Sequence, residues 1–165
     1  MRTENDGREK TAAGNAPASG TELRGLRILL LEDNTVCAEI TKALLEALGA
    51  AVDCAPDGDA GVRLFLASPP GRYAAVLTDL RMPVLDGCGA ARAVRASGRA
   101  DAGLPILALS SDDGDADVRR ALEAGMDVHL AKPADPRRIA AELRRLAAEK
   151  SGAAAPTGVD SRAPE

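Results

Sequence analysis

Three carboxylates, a serine and a lysine are the side chains of this sequence best suited to chemistry, because each follows a short apolar run. Glu32 and Asp33 follow the first run, Asp79 the third, Ser110 the fourth and Lys132 the fifth. Asp79 lies within the segment LTDLRMPVLDG, which puts an acidic group at the end of an apolar run. If the runs are strands of one parallel sheet, these side chains gather at one edge of it.

The residue types in this set indicate phosphoryl transfer. Carboxylates a few ångströms apart repel one another unless a cation lies between them. Oxygen ligands without histidine or cysteine favour Mg²⁺ or Mn²⁺ over zinc. An aspartate is a suitable nucleophile for a phosphoryl group, and an ammonium and a hydroxyl group stabilise the transferred oxygens. Asp79, Lys132 and Ser110 fit these three roles.

The elements that must position these residues follow from the alternation of apolar and amphipathic segments. The apolar runs cover residues 28–31, 50–54, 74–77, 106–109 and 128–130. Short continuous apolar runs are typical of strands that are buried on both faces, and amphipathic stretches between them are typical of helices. The sequence therefore predicts an α/β fold of five βα units with a doubly wound parallel sheet.

Spacing and capping residues support the predicted helices. The apolar residues of the first helix share one face, which comprises Val36, Ile40, Ala43, Leu44, Ala47 and Leu48. Gly49 ends this helix, and Asp57 is a candidate N-cap of the second. The last helix has Asp135 as candidate N-cap and Pro136 at its first position. The same spacing predicts that it buries Ile139, Leu143, Leu146 and Ala147.

The composition fits one domain with tails. A chain of 165 residues with 45% hydrophobic content has enough apolar side chains for one core. Residues 1–23 are charged and poor in Val, Ile and Leu, and residues 151–165 consist largely of Ser, Gly, Ala and Pro. We therefore expect disordered tails over 1–23 and 151–165 and a folded domain over 24–150.

Charge, aromatic content and cysteine content narrow the classes of function. The formal net charge is -4, and the chain has one Tyr, one Phe and no Trp. Direct binding of nucleic acid is therefore not expected. No apolar run approaches the roughly 20 residues that span a bilayer, so we expect no membrane insertion. The three cysteines form no CxxC pair and are odd in number, which favours a reduced cytoplasmic compartment.

Four segments together resemble a known family: ILLLEDN, LTDLRMPVLDG, LPILALSS and AGMDVHLAKP. Their order and spacing over about residues 24–148 resemble the receiver domain of two-component response regulators. EDN and GMDVHLAKP are more similar to receivers attached to hybrid sensor histidine kinases than to those fused to DNA-binding domains. The resemblance implies a flavodoxin-like fold with strand order 2-1-3-4-5 and a cis Lys132-Pro133 bond.

The resemblance also implies a role for each site residue. Asp79 would accept a phosphoryl group from a phosphohistidine of a partner sensor histidine kinase or phosphotransfer domain. Lys132 would contact the phosphate, and Ser110 would supply the switch hydroxyl. The ligands of Mg²⁺ (or Mn²⁺) would be Glu32, Asp33, Asp79 and the backbone carbonyl of Arg81.

Two features depart from the family pattern. His129, the one histidine of the chain, stands at the aromatic switch position. Because histidine titrates near neutral pH, its inward swing when Ser110 moves makes a pH-sensitive switch a hypothesis. Arg81 and Asp112 lie two residues after Asp79 and Ser110, at positions that tune phosphate lifetime in the family. We therefore expect Arg81→Ala to change the rate of dephosphorylation.

Three functions are weighed on these residues. The first is a signalling phosphoacceptor that is not an enzyme, stands alone without an output domain, and dimerises on phosphorylation through the face of helix 4, strand 5 and helix 5. The second is a pseudo-receiver that binds partners without phosphorylation, against which the intact site residues argue. The third is an aspartate-nucleophile phosphatase of the haloacid dehalogenase type. That phosphatase needs a second aspartate as general acid where this chain has Arg81.

Overall fold

The computed structural model describes residues 20–111 and 114–150. Within these residues five strands alternate with five helices, as the sequence predicts. The strands are β1 (Arg27–Leu31), β2 (Ala51–Ala55), β3 (Ala75–Asp79), β4 (Ile106–Ser110) and β5 (Val128–Ala131). The helices are α1 (Thr35–Ala47), α2 (Gly58–Ala67), α3 (Gly87–Arg95), α4 (Asp115–Glu123) and α5 (Pro136–Lys150).

The five strands form one parallel sheet in the order β2-β1-β3-β4-β5. β1 lies between β2 and β3, so that Ile28 pairs with Val52 on one side and with Ala75 on the other. β4 in turn lies between β3 and β5. The flavodoxin-like order 2-1-3-4-5 is therefore confirmed. All five carboxyl ends point to the same edge of the sheet, since every pair is parallel.

Apolar side chains alternate between the two faces of the sheet and fill two cores. Leu29 and Leu31 of β1 pack with α2, α3 and α4, where Phe65 is fully buried. Ile28 and Leu30 pack on the opposite face with α1 and α5. A strand buried on both faces has to be apolar at successive positions, which explains why β1 has no alternation of polar and apolar residues.

Side-chain caps fix where several helices begin. Asp57 accepts a hydrogen bond from the backbone N–H of Ala60 at the start of α2. The Asp135 side chain accepts one from Arg137 at the start of α5, which begins at Pro136. Both predicted caps are confirmed. Asn34 caps α1 and Asp86 caps α3 in the same manner. Each of these residues lies in the loop between a strand and the helix that follows it.

The apolar face predicted for α1 is not the face that the helix buries. Ala38 and Leu45 are buried, and Leu48, the residue that follows the helix, is the one member of the predicted face that is buried. Val36, Ile40 and Leu44 are instead exposed by 64%, 56% and 44%. α1 therefore has two apolar stripes, and periodicity does not say which of them faces the core.

The folded part begins before the predicted boundary at residue 24. Residues 20–25 form turns, and Leu23 is fully buried in the core under α1 and α5. Its backbone N–H donates to the carbonyl of Leu48. Most of the predicted tails, residues 1–19 and 151–165, lie outside the described residues. None of the helices described is both long and apolar enough to cross a bilayer.

Candidate functional site

Three carboxylates meet at the carboxyl edge of the sheet. Glu32 and Asp33 follow β1, and Asp79 is the last residue of β3. Because β1 and β3 are paired neighbours, their ends are adjacent. One oxygen from each of the three side chains lies within 4.8 Å of the other two. Glu32 is buried, Asp79 is half-buried and Asp33 is exposed, so the cluster opens to solvent on the side of Asp33.

Lys132 supplies the positive charge of the cluster. It follows β5, and its Nζ lies 2.7 Å from Oε2 of Glu32 and 3.0 Å from Oδ2 of Asp79. Burial by itself lowers the pKa of the ammonium, but the hydrogen bonds and charges of the two carboxylates outweigh it and raise the pKa. The amine is therefore held as a cation. The Lys132-Pro133 peptide bond is cis, as the resemblance implies.

Both carboxylate oxygens of Glu32 accept hydrogen bonds. Oε1 accepts from the backbone N–H of Asn34 at 3.1 Å, and Oε2 accepts from Lys132. Asn34 also caps α1 by accepting from the N–H of Cys37. The start of α1 therefore fixes the position of the carboxylate of Glu32, a residue that is 6% exposed. Asp33 and Asp79 remain the more accessible acidic groups of the cluster.

The loop after Asp79 is built around a glycine. The N–H of Gly87 donates to the carbonyl of Leu80, and a Cβ at Gly87 would collide with the carbonyl oxygen of Asp79. It would also lie 3.0 Å from Oγ1 of Thr78. α3 can begin against the backbone of the acidic residue only because this position has no side chain. Sequence reasoning missed this role, although the pair Asp86-Gly87 is visible as an N-cap followed by a glycine.

Ser110 and His129 lie on neighbouring strands beside the cluster. Ser110 is buried at the end of β4, and its carbonyl accepts from the N–H of Lys132 at 2.7 Å. His129 pairs with Ala108 in the register of β4 and β5, so it shares a face with Ser110. Nε2 of His129 is buried and has no hydrogen-bond partner among residues 20–111 and 114–150.

The structure describes one of the two residues that are predicted to tune phosphate lifetime. Asp112 lies outside the described residues. The backbone N–H of Arg81 is 3.4 Å from Oδ1 of Asp79, which places Arg81 at the mouth of the site. Its guanidinium turns toward α4, where Nη2 lies 3.3 Å from Oδ2 of Asp117. Sequence reasoning missed Asp117, because it lies 36 residues from Arg81 and only packing brings the two together.

The donor atoms of the cluster fit a hard divalent cation. The cluster contains carboxylate oxygens and neither histidine nor cysteine, which is the donor set that Mg²⁺ prefers. Three acidic groups at this spacing carry more negative charge than the single ammonium of Lys132 offsets. Glu32, Asp33 and Asp79 thus offer ligand atoms where a cation lowers their mutual repulsion.

Comparison with known proteins gives matches over the same part of the chain. The model of the response regulator receiver domain family matches residues 28–144. The chain is 35% identical over 129 residues to probable histidine kinase 2 of Oryza sativa subsp. indica, which covers 71% of this chain and 12% of that protein. It is 37% identical over 117 residues to the gliding motility regulatory protein of Myxococcus xanthus, covering 71% and 14%. The chain thus spans only a small part of these relatives.

A solved structure shows the same architecture. The receiver domain of a sensor histidine kinase from Pseudomonas aeruginosa, which has a magnesium ion coordinated in its active-site cleft, matches with a TM-score of 0.67 and 38% identity. The match covers 74% of this chain and 98% of that one. The family match over residues 28–144 accounts for most of the chain. The chain therefore belongs to the response regulator receiver domain family of two-component signalling.

Proposed function

We propose that Asp79 of this receiver accepts a phosphoryl group from a phosphohistidine on a partner sensor histidine kinase or phosphotransfer domain, in a reaction that requires Mg²⁺ or Mn²⁺. The observation that carries the proposal is the contact of Lys132 Nζ with Asp79 Oδ2 at 3.0 Å beside the acidic cluster. A half-buried carboxylate with a fixed cation at one oxygen is suited to receive a negatively charged group.

The proposed step is a displacement at phosphorus. A carboxylate oxygen of Asp79 forms the new P–O bond while the P–N bond of the phosphohistidine breaks, and the imidazole nitrogen of the partner keeps the electron pair. The Lys132 ammonium pairs with the transferred oxygens, and the Ser110 hydroxyl donates to one of them. Glu32, Asp33, Asp79 and the Arg81 carbonyl would hold the cation, which would supply positive charge beside the transferred group.

The exposed apolar stripe of α1 supports the proposed partner. The stripe comprises Val36, Ile40 and Leu44. Ile40 and Leu44 line a groove of about 390 Å³ that extends to Lys132 and Pro133. The groove thus joins the stripe to Lys132, whose Nζ lies 3.0 Å from Asp79 Oδ2. Phosphohistidine on a partner helix can reach Asp79 if an apolar face of that helix packs on this stripe. Docking and chemistry would then use adjacent surfaces.

Intact mass tests the chemistry directly. The chain is incubated with acetyl phosphate, with and without Mg²⁺, alongside Asp79→Asn and the matched control Asp59→Asn, whose side chain is 48% exposed and paired with Arg63 on α2. We expect a metal-dependent gain of one phosphoryl group in the wild type and the control but not in Asp79→Asn. No gain under any condition would favour the pseudo-receiver, a binding module with the same fold.

A second experiment tests the docking surface. Ile40→Glu puts a charge on the stripe, and Leu66→Glu does the same at a 49% exposed leucine of α2 that does not line the groove. Transfer is measured from a phosphohistidine domain that phosphorylates the wild type. We expect Ile40→Glu to slow this transfer by about tenfold or more, while acetyl phosphate still acts at the normal rate. Equal transfer rates for the two variants would contradict docking on α1.

We propose that phosphorylation promotes dimerisation through the face formed by α4, β5 and α5, which exposes Leu122 by 52%. A cytoplasmic location is supported by three free thiols, at Cys37, Cys54 and Cys88. The stand-alone organisation stays a prediction from sequence.

A further inference from the structure

A set of charged side chains joins the loop after Asp79 to the first turns of α4. Arg81 lies 3.3 Å from Asp117, and Arg120 lies 3.7 Å from both Asp117 and Asp86. Arg81 and Asp86 belong to the loop between β3 and α3, whereas Asp117 and Arg120 belong to α4. We call these four residues the loop–α4 charge cluster. They connect the phosphoacceptor loop to a helix of the proposed output face.

The two residues of the Arg81–Asp117 pair differ strongly in exposure. The Asp117 side chain is 9% exposed, and that of Arg81 is 73% exposed. A largely buried carboxylate on a helix stays where the helix holds it, whereas an exposed arginine rotates at little cost. If Arg81 leaves, Arg120 still lies 3.7 Å from the carboxylate and limits the cost of the separation. Arg81 is therefore the movable partner.

A phosphoryl group on Asp79 would compete with Asp117 for this arginine. Arg81 is two residues from Asp79, and its N–H already lies 3.4 Å from a carboxylate oxygen of Asp79. A phosphoryl group carries a charge of roughly -2 and three strong acceptor oxygens, against a charge of -1 on the Asp117 carboxylate. Guanidinium groups bind phosphate oxygens in bidentate fashion. The charge difference favours the phosphoryl group.

We propose that Asp117 is a positioning residue that holds Arg81 away from the phosphoacceptor, and that phosphorylation of Asp79 moves the Arg81 guanidinium from Asp117 to the phosphoryl oxygens. The transfer removes the ion pair between the loop and the first turn of α4, while the Arg120–Asp86 pair remains. The inference rests on the proposed phosphorylation of Asp79 and adds a coupling between that site and α4. Loss of the Asp117 charge should strengthen binding of a phosphoryl group at Asp79, whereas loss of Arg81 should weaken it.

The affinity for beryllium trifluoride, which mimics a phosphoryl group on aspartate, measures the competition. Asp117→Asn keeps the side-chain shape and removes the charge that holds Arg81. We expect this variant to bind the mimic about two- to fivefold more tightly than the wild type, the range that corresponds to one exposed ion pair. Asp115→Asn is the matched control on the same turn of α4, at an exposed residue, and should bind like the wild type.

The same comparison in an Arg81→Ala background separates a specific effect from a general change of charge. Without Arg81, Asp117→Asn should leave the affinity unchanged, and Arg81→Ala by itself should bind the mimic less tightly and change the rate of dephosphorylation. A tighter complex in both backgrounds, or weaker binding of Asp117→Asn in the presence of Arg81, would overturn the inference. Weaker binding would mean that Asp117 orients Arg81 toward the phosphate.

The unaltered chain provides a second measurement that does not depend on the folding of a variant. Amide hydrogen exchange at residues 115–119 should become faster when the mimic binds, because the contact of Arg81 with α4 is lost. Exchange that stays equal or slows overturns the coupling while the proposed function stands. Failure of the wild type to bind the mimic at all would overturn both, so the two failures are distinguishable.

Discussion

Lys132 Nζ lies 3.0 Å from Asp79 Oδ2, so the residue that follows β5 is ion-paired with the last residue of β3 across the intervening strand β4. The two residues are 53 positions apart in sequence. The same ammonium lies 2.7 Å from Glu32, at the end of β1. One lysine thus joins the carboxyl ends of three elements that converge on the site.

Removal of this lysine should destabilise the fold in the absence of divalent cations. Lys132→Ala leaves Glu32, whose side chain is 4% exposed, next to Asp79 without a compensating charge. We expect the free energy of unfolding in urea to fall by about 2 kcal/mol in EDTA. Mg²⁺ should then raise the melting temperature of the variant more than that of the wild type, because the ammonium no longer competes with the cation.

A control for this effect is Lys42→Ala, because Lys42 forms an exposed pair with Glu46 at 3.8 Å on α1. Its free energy of unfolding should change by less than about 0.5 kcal/mol. If Lys132→Ala is as stable as this control in EDTA, the ammonium does not offset repulsion within the acidic cluster.

Gly87→Ala should disturb both the fold and the site. The new Cβ would collide with the carbonyl oxygen of Asp79, and neither the strand nor the start of α3 can move away without losing hydrogen bonds. We expect a loss of about 2 kcal/mol or more in the free energy of unfolding, measured by urea denaturation. Gly103→Ala is the matched control, since a Cβ there has no neighbour within 4 Å. Similar losses in both variants would refute the steric argument.

Asp101 should contribute stability that depends on pH. Arg99 donates to both carboxylate oxygens of Asp101 and also binds carbonyls at the end of α2, and its guanidinium lies 4.4 Å from the ring centroid of Phe65. The hydrogen bond with Arg99, aided by the N–H of Gly71, lowers the pKa of Asp101 below its ordinary value of 3.8. The folded state therefore holds the carboxylate ionised to lower pH than the unfolded chain does.

The lowered pKa determines the pH range in which Asp101 stabilises the folded state. The contribution of Asp101 is complete above pH 3.8 and is lost as the pH falls through the lower pKa of the folded state. Asp101→Asn should thus be less stable than the wild type near neutral pH, and the difference in unfolding free energy should shrink below pH 3.8. A difference that is constant from neutral to strongly acidic pH would contradict the ionic role of Asp101.

His129 should cost stability in the unphosphorylated state. Its Nε2 is buried and has no hydrogen-bond partner among the residues that the structure describes, and an unpaired buried nitrogen is unfavourable. We expect His129→Leu to raise the free energy of unfolding by about 1 kcal/mol in urea. The pH hypothesis has its own test: the response of the wild type to phosphorylation should differ between mildly acidic and neutral pH. An unchanged response refutes that hypothesis.

The order of strands and helices, and most of the residues that meet at the site, can be predicted from sequence patterns. The apolar runs predict the central strands β1, β3 and β4 because a strand covered on both faces must be apolar at successive positions. The edge strands β2 and β5 are recognisable although each contains a polar residue, Asp53 and His129. Asp57 and Asp135 were recognisable as caps because capping is a local interaction. The carboxyl ends of parallel strands share one edge, which is why Glu32, Asp33, Asp79 and Lys132 could be grouped before their distances were known.

Which surfaces are buried and which charges pair depends on how the strands and helices pack against one another. Periodicity marked the apolar stripe of α1 that contains Ile40, but packing against the sheet buries Leu45 and leaves Ile40 exposed. The close approach of α3 to the backbone of Asp79 makes Gly87 necessary, and α4 brings Asp117 to Arg81 from 36 residues away. These features depend on the distances between packed elements, and local sequence patterns contain no information about such distances.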